Sequence, residues 1–372
     1  MRILFTSRAG GTAGSTESIT YLARGLAQRG HEVHLATPAH TNYWQNLEED
    51  PVTLHEVSFR KKWDRSSILR LIDIIRRGRI QIVNAQSSYD RYVGMLARAL
   101  SSFPARLVHT RRQRMNSSGG ALQRWWYLRA TDGFIAVSEG VKRSMLQKGI
   151  PESAIQVIYN GTPSYKYQAW DPDRTEILRR ELQIAPDERV IGSVSRPKRQ
   201  GQIIRAALRL QEPIRLVFVG LSYQEAQRRY PEALRVAQSA GLKMHFMASV
   251  SLREALAWMK LLDVHILSSI TEGLSQSLLE AMYMGVPNVA TRAAGNPDLI
   301  RHEHNGLLFE DEDIDGLARE IHRLLQDDNL RKKMIQAGLT TARDVFSMER
   351  TLDAYESYFY GLLGIQAKGR SV

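Results

Sequence analysis

The stretch TEGLSQSLLEAMYMG, residues 271–285, sets two carboxylates, Glu272 and Glu280, eight positions apart around a turn that carries Gly273 and Ser275. It follows DVHILSSI, an apolar run of strand type, and leads into a helical pattern. A strand-to-helix turn presents free backbone N–H groups and the positive end of the helix dipole, so Gly273, Leu274 and Ser275 can receive anionic oxygens. Gly273 lets the backbone come close to such a group. Glu280 lies about one and a half helical turns further in, where an acceptor-only carboxylate takes hydrogen bonds from hydroxyls. Taken alone, the same two acids could equally be placed to satisfy the dipole.

Cations occur after another strand pattern: SVSRPKRQG supplies Arg196, Lys198 and Arg199. They can neutralise charge on an anionic leaving group, a task for which no metal-ligand motif is visible. In the first half RLVHT ends a strand at His109, where an imidazole could orient a hydroxyl or support proton transfer. A lone His at a strand end is more often structural. Gly14 opens the first helical pattern, GSTESITYLARGLAQRGH, and lets a ligand approach the helix start.

The elements that must hold these groups alternate regularly. RILF, a helical pattern over 17–29, EVHLAT, QIVNA, RLVHT and GFIAVS read as βα units around a parallel sheet. The series ends with IQVIYNG at Gly161, and TPSYKYQAWDPD, without helical period, reads as a linker. The alternation restarts with RVIGSVS, IRLVFVG, KMHFMAS, DVHILSS and VPNVAT, which predicts a second Rossmann-like domain. Residues 312–363 are helical almost throughout, with breaks near Asn329 and Phe346. Ligands of open α/β domains settle at the carboxyl ends of the strands, which is where residues 271–285 fall.

A chain of 372 residues with 43% hydrophobic and 24% charged side chains fits two globular domains and gives no sign of disorder. Without cysteine, disulfides and thiolate chemistry are excluded. MRILFTSRAGG lacks the apolar core of a secretory signal, and no run reaches the roughly 20 apolar residues of a membrane span, so a cytoplasmic location is expected. The net charge of +12 belongs wholly to residues 1–170, where 24 Lys and Arg face 12 Asp and Glu. Such a field favours anionic partners: nucleic acid, lipid headgroups or a phosphorylated acceptor. Its densest part, HTRRQRMNSSGGALQRWWYLR, groups Arg111, Arg112, Arg114, Arg124 and Arg129 with Trp125, Trp126 and Tyr127. Upstream, ILRLIDIIRRGRI adds a basic helix with an apolar face. Arginines bind phosphate bidentately and Trp suits a headgroup interface, so this half is expected to dock on an anionic membrane or a phosphorylated glycolipid. If the Trp pair were helix core instead, the arginines would be a solvated rim.

Together these residues resemble glycosyltransferase family 4. EGLSQSLLEAMYMGVPNVAT looks like its acidic signature, and the match extends through AAGNPDLI, NGLLFEDED, VIYNGT, SVSRPKRQG and GSTESITYLARGLAQRGHEVHLAT. It covers nearly the whole chain and is weakest over 42–79. The resemblance implies an α/β GT-B fold, two doubly wound Rossmann-like domains with a donor cleft between them. It places an acceptor domain at 1–162, a nucleotide-sugar domain at 163–345 and, at 346–372, a helix packing back toward the first domain. It also implies retaining transfer from a nucleotide diphosphate sugar, UDP- or GDP-linked, with no bound metal or other cofactor. Glu280 would then hold the ribose, residues 273–275 the phosphates, and Glu272 the sugar or the positive charge at its anomeric carbon, with His109 near the reacting centre. Two departures stand out. Ala13 replaces the first Gly of a family Gly-Gly pair, and aligning Gly201 with the family Gly leaves Gln200 or a gap where a Lys should stand, so that Lys198 or Arg199 would substitute.

The resulting expectation is a hexosyltransferase that builds lipopolysaccharide or another cell-surface glycan, cytoplasmic or peripheral on the inner face of the cytoplasmic membrane. A sugar-nucleotide 2-epimerase shares the architecture but is disfavoured by the Glu272–Glu280 signature. A nucleic-acid-binding protein is suggested only by a pI near 9.9, with no recognition helix, zinc spacing or RNP-like strand in support.

Overall fold

A computed structural model describes residues 1–11, 14–115 and 120–365. The chain forms two compact units, residues 1–163 with 348–372, and residues 164–347.

The first unit holds a seven-stranded sheet of β1 Arg2–Thr6, β2 Glu32–Thr37, β3 Val52–Glu56, β4 Ile82–Ala85, β5 Arg106–Arg111, β6 Gly133–Ala136 and β7 Ile155–Val157. The order is β3-β2-β1-β4-β5-β6-β7 and every pairing is parallel. Parallel strands joined by helices are covered on both faces, so they are apolar along their length: Ile3, Leu4 and Phe5 are all fully buried. The reversal of strand order at β1 and β4 is the doubly wound topology.

The helix Met348–Leu363 belongs to this unit and packs beside the helix Gly14–Gln28. Gly25 permits the approach, since a Cβ there would stand 2.6 Å from a Leu352 methyl. Tyr355 and Phe359 are fully buried and join the core of Ile3, Phe5, Leu22 and Val33, each worth roughly 1.5–3 kcal/mol of burial. Polar contacts fix the docking: Thr351 Oγ1 takes the Gly161 N–H at 2.7 Å, and Arg29 reaches Asp353 and Glu356.

The second unit holds β8 Arg189–Val194, β9 Ile214–Val219, β10 Lys243–Met247, β11 Val264–Leu267, β12 Asn288–Thr291 and β13 Leu307–Phe309, in the order β10-β9-β8-β11-β12-β13 and again all parallel. Its helices end as their side chains dictate. Ser251 caps the helix Leu252–Leu261 through the Glu254 N–H, and Asp171 caps the helix Pro172–Glu181, whose Pro stands at its first position.

Residues 162–173 differ from the linker expected of them. They include a 3₁₀ helix, Ser164–Ala169, with Lys166 buried and Tyr167 stacked on Tyr283 at 4.2 Å. Two turns of 3₁₀ helix carry no α-helical hydrophobic period, which is why the sequence pattern missed them.

Candidate active site

The turn after β11 is built to present backbone. Ser275 is the N-cap of the helix Gln276–Tyr283, its hydroxyl accepting from the Leu278 N–H. Residues 268–275 are held from beside them: Asn296, fully buried, donates to the carbonyls of Ser269 and Thr291, and the Gly295 N–H donates to the Glu272 carbonyl at 3.2 Å. Gly273, Leu274 and Ser275 are buried, and their N–H groups donate to no other group among the described residues. Amides left free at a helix start can receive an anion.

The cations that share the loop after β8 have separate fates. Lys198 Nζ lies 2.7 Å from Glu272 Oε1, both side chains about one-fifth exposed. Arg199 instead binds Asp311 at 2.5 Å and Glu312 at 3.0 Å. Expected as a donor ligand alongside Lys198, Arg199 is therefore engaged by an acidic pair more than 100 positions along the chain. Gln200 is buried and knits the loop, donating to the Arg196 carbonyl and accepting from the Lys198 N–H and the Tyr230 hydroxyl. Arg196 is exposed on the same loop. Of the two candidates for the missing family Lys, Lys198 is the one that meets Glu272.

Glu280 carries a partner that sequence reasoning did not find. Lys166 Nζ donates to its Oε1 at 2.7 Å, with the lysine side chain fully buried and Glu280 17% exposed. The only sequence signal was a basic residue inside an aromatic, Pro-bearing stretch.

In the first unit, Gly14 is the first residue of its helix, and residues 12 and 13 lie outside those described. RLVHT does not end a strand at His109. β5 continues to Arg111, and His109 sits within it, paired to Ala85 and Phe134 in the neighbouring strands. Its ring is fully buried against Tyr127 (4.8 Å) and Phe134 (5.8 Å). Burial, reinforced by the nearby Arg91 charge, pushes its pKa well below the usual 6.5, so the imidazole is neutral. Neither ring nitrogen has a hydrogen-bond partner among the described residues. The proton-carrying role expected of it is thus disfavoured, while a hydrogen-bonding role is compatible with this environment.

The basic face also needs correction. Arg112 turns inward, its Nε donating to Gln86 Oε1 at 2.9 Å, with both terminal nitrogens buried near Tyr43 and Tyr355. Arg112 is the first residue beyond β5, and its inward aim is fixed by Gln86, 26 positions away in the chain. Arg111 is half-buried, whereas Arg114 is exposed. The Trp pair is not helix core. The helix Ala121–Arg129 buries only Tyr127; Trp125 is 59% exposed, and Trp126 stacks on Trp63 at 5.7 Å beside Tyr92. Residues 116–119 of this stretch lie outside those described.

Comparison with known proteins places the chain. The family model described as Glycosyltransferase Family 4 matches residues 12–164, and that described as Glycosyl transferases group 1 matches residues 174–341. The N-acetyl-alpha-D-glucosaminyl L-malate synthase of Bacillus anthracis is 23% identical over 368 residues, 94% of either chain. The lipopolysaccharide core biosynthesis glycosyltransferase LpsD of Rhizobium meliloti is 24% identical, covering 94% of this chain and 96% of the relative. Among solved structures, Anabaena Alr3699/HepE in complex with UDP superposes with a TM-score of 0.83 at 20% identity, over 97% of this chain and all of that one, which gives the GT-B fold. On these matches the chain belongs to glycosyltransferase family 4 and is a glycosyltransferase.

Proposed function

We propose that this glycosyltransferase moves a hexose-type sugar, with retention of anomeric configuration, from a nucleoside diphosphate to a lipopolysaccharide or other cell-surface glycan acceptor. The observation that carries the reading is the turn at 271–283: three amides at a helix start with no partner among the described residues, flanked by Glu272 on Lys198 and Glu280 on Lys166. In this reading the second unit takes the donor and the first unit the acceptor. The diphosphate occupies the amides of Gly273, Leu274 and Ser275, with Arg196 and Lys198 adding charge. A doubly charged diphosphate competes with Glu272 for Lys198, and Glu272 is then released to hold sugar hydroxyls and to stabilise positive charge at the anomeric carbon. The bond from that carbon to the β-phosphate oxygen breaks, the acceptor hydroxyl oxygen bonds on the same face, and the hydroxyl proton leaves with the departing diphosphate. His109, neutral and with ring nitrogens unpartnered among the described residues, serves as a hydrogen-bond partner for a sugar hydroxyl.

UDP bound by the HepE structure and the lipopolysaccharide role in the name of LpsD support the donor and acceptor classes. The exposed Trp63 and Trp125, the half-buried Trp126 stacked on Trp63, Lys62 over the Tyr92 ring and the exposed Arg114 support peripheral docking on an anionic membrane. No helix among the described residues is long and apolar enough to cross a membrane. A thermal-shift panel of UDP, GDP and ADP and their sugar conjugates tests the donor reading. A ligand at 100 times its Kd raises stability by about 2.7 kcal/mol, and a flat panel would refute the reading.

A further inference from the structure

We infer that Lys166 is a positioning residue for the nucleotide site: it fixes the Glu280 carboxylate so that its free oxygen meets the two ribose hydroxyls of a nucleoside diphosphate. This rests on the donor reading above and adds to it a residue outside the acidic signature.

The geometry is specific. The helix Gln276–Tyr283 places Glu280 and Tyr283 three positions apart, on one side of the helix. The 3₁₀ turn Ser164–Ala169 lies against that side with two consecutive residues: Lys166 binds Glu280 Oε1 at 2.7 Å, and Tyr167 stacks on Tyr283 with ring planes 10° apart. Thus the Lys166 backbone is anchored by the aromatic stack next to it. Its side chain is fully buried, and an ammonium so placed requires a carboxylate partner.

A glutamate has three side-chain torsions, and ordering them on ligand binding lowers affinity by up to about tenfold. The Lys166 bond orders them in advance. It uses Oε1 and leaves Oε2 able to accept from a vicinal diol. A competing effect exists, because Lys166 also draws charge from the carboxylate and so weakens it as an acceptor. Preorganisation outweighs this if affinity falls when the lysine is removed.

The test measures the Kd of UDP and of 2′,3′-dideoxy-UDP for the wild type, Lys166→Met and Lys166→Arg, with melting temperatures confirming that each variant is folded. The expected result is a roughly tenfold loss of UDP affinity in Lys166→Met, no loss for the dideoxy analogue beyond about twofold, and recovery in Lys166→Arg. The analogue is the internal control for an intact site, since it keeps the base and the diphosphate. An equal loss for both nucleotides, or unchanged UDP affinity in Lys166→Met, overturns the inference while leaving the donor reading standing. A wild type that binds neither nucleotide overturns both.

Discussion

Lys198 and Arg199 are adjacent, carry the same charge and differ in what they touch, so substituting each by Met separates local contact from general field. Lys198 Nζ is 2.7 Å from Glu272 Oε1, with both groups about one-fifth exposed. In water-accessible surroundings such a pair contributes at most about 1 kcal/mol to folding, so Lys198→Met should fold normally. A charged hydrogen bond to a diphosphate is worth about 1.5–3 kcal/mol, or roughly 10- to 100-fold in affinity. Arg199 is engaged by Asp311 and Glu312 at 2.5 and 3.0 Å and is itself 39% exposed. Its loss should change nucleotide affinity by no more than about twofold, because at 0.1 M salt the screening length is only about 10 Å. Isothermal titration of UDP, GDP and ADP into both variants at matched ionic strength reads the difference. Equal losses in the two variants, or a larger loss in Arg199→Met, would refute the assignment of Lys198 to the phosphates.

Further predictions follow from the same geometry. Glu272→Gln removes a charge needed in the transition state, so kcat should fall by about 100-fold or more with KM changed far less; steady-state kinetics with the preferred donor measure the split, and proportional changes in both would count against it. Trp125→Ala combined with Trp63→Ala should abolish co-flotation with anionic liposomes and leave donor affinity intact; retained flotation would move the docking face elsewhere. The stability of the fold should decline in acid. His265, fully buried in β11 and bonded to Asn288, has its pKa lowered from 6.5 to about 4, chiefly by burial. The unfolded chain therefore binds a proton that the native site refuses, and stability is lost as pH falls from about 6.5 to 4, by about 3 kcal/mol for this residue. Denaturant titrations at pH 7 and pH 4 measure the loss, and His265→Gln should flatten it.

The fold was legible because parallel strands covered on both faces read as unbroken apolar runs such as IRLVFV over β9, separated by helical periods. The acidic turn was legible for a similar reason: Gly273, Ser275 and the two glutamates are local, and a turn with its cap is decided by neighbours in sequence. Partners distant in the chain were not. Whether Lys198 or Arg199 met Glu272 depended on Asp311 and Glu312 drawing off the arginine. Lys166 lies 114 positions from Glu280, in a turn with no period to betray it. The inward aim of Arg112, one residue beyond β5, rests on Gln86, 26 positions away, so five arginines clustered in one stretch read as a single surface.

The most direct test of the donor site is the equilibrium binding of nucleoside diphosphates to the wild type and to Glu280→Ala. The geometry of the 271–283 turn leads to one nucleotide bound preferentially and at least tenfold more weakly by the variant, with ribose hydroxyls left without their acceptor. If the wild type bound no nucleoside diphosphate, or the variant bound it equally well, the proposed site would be contradicted.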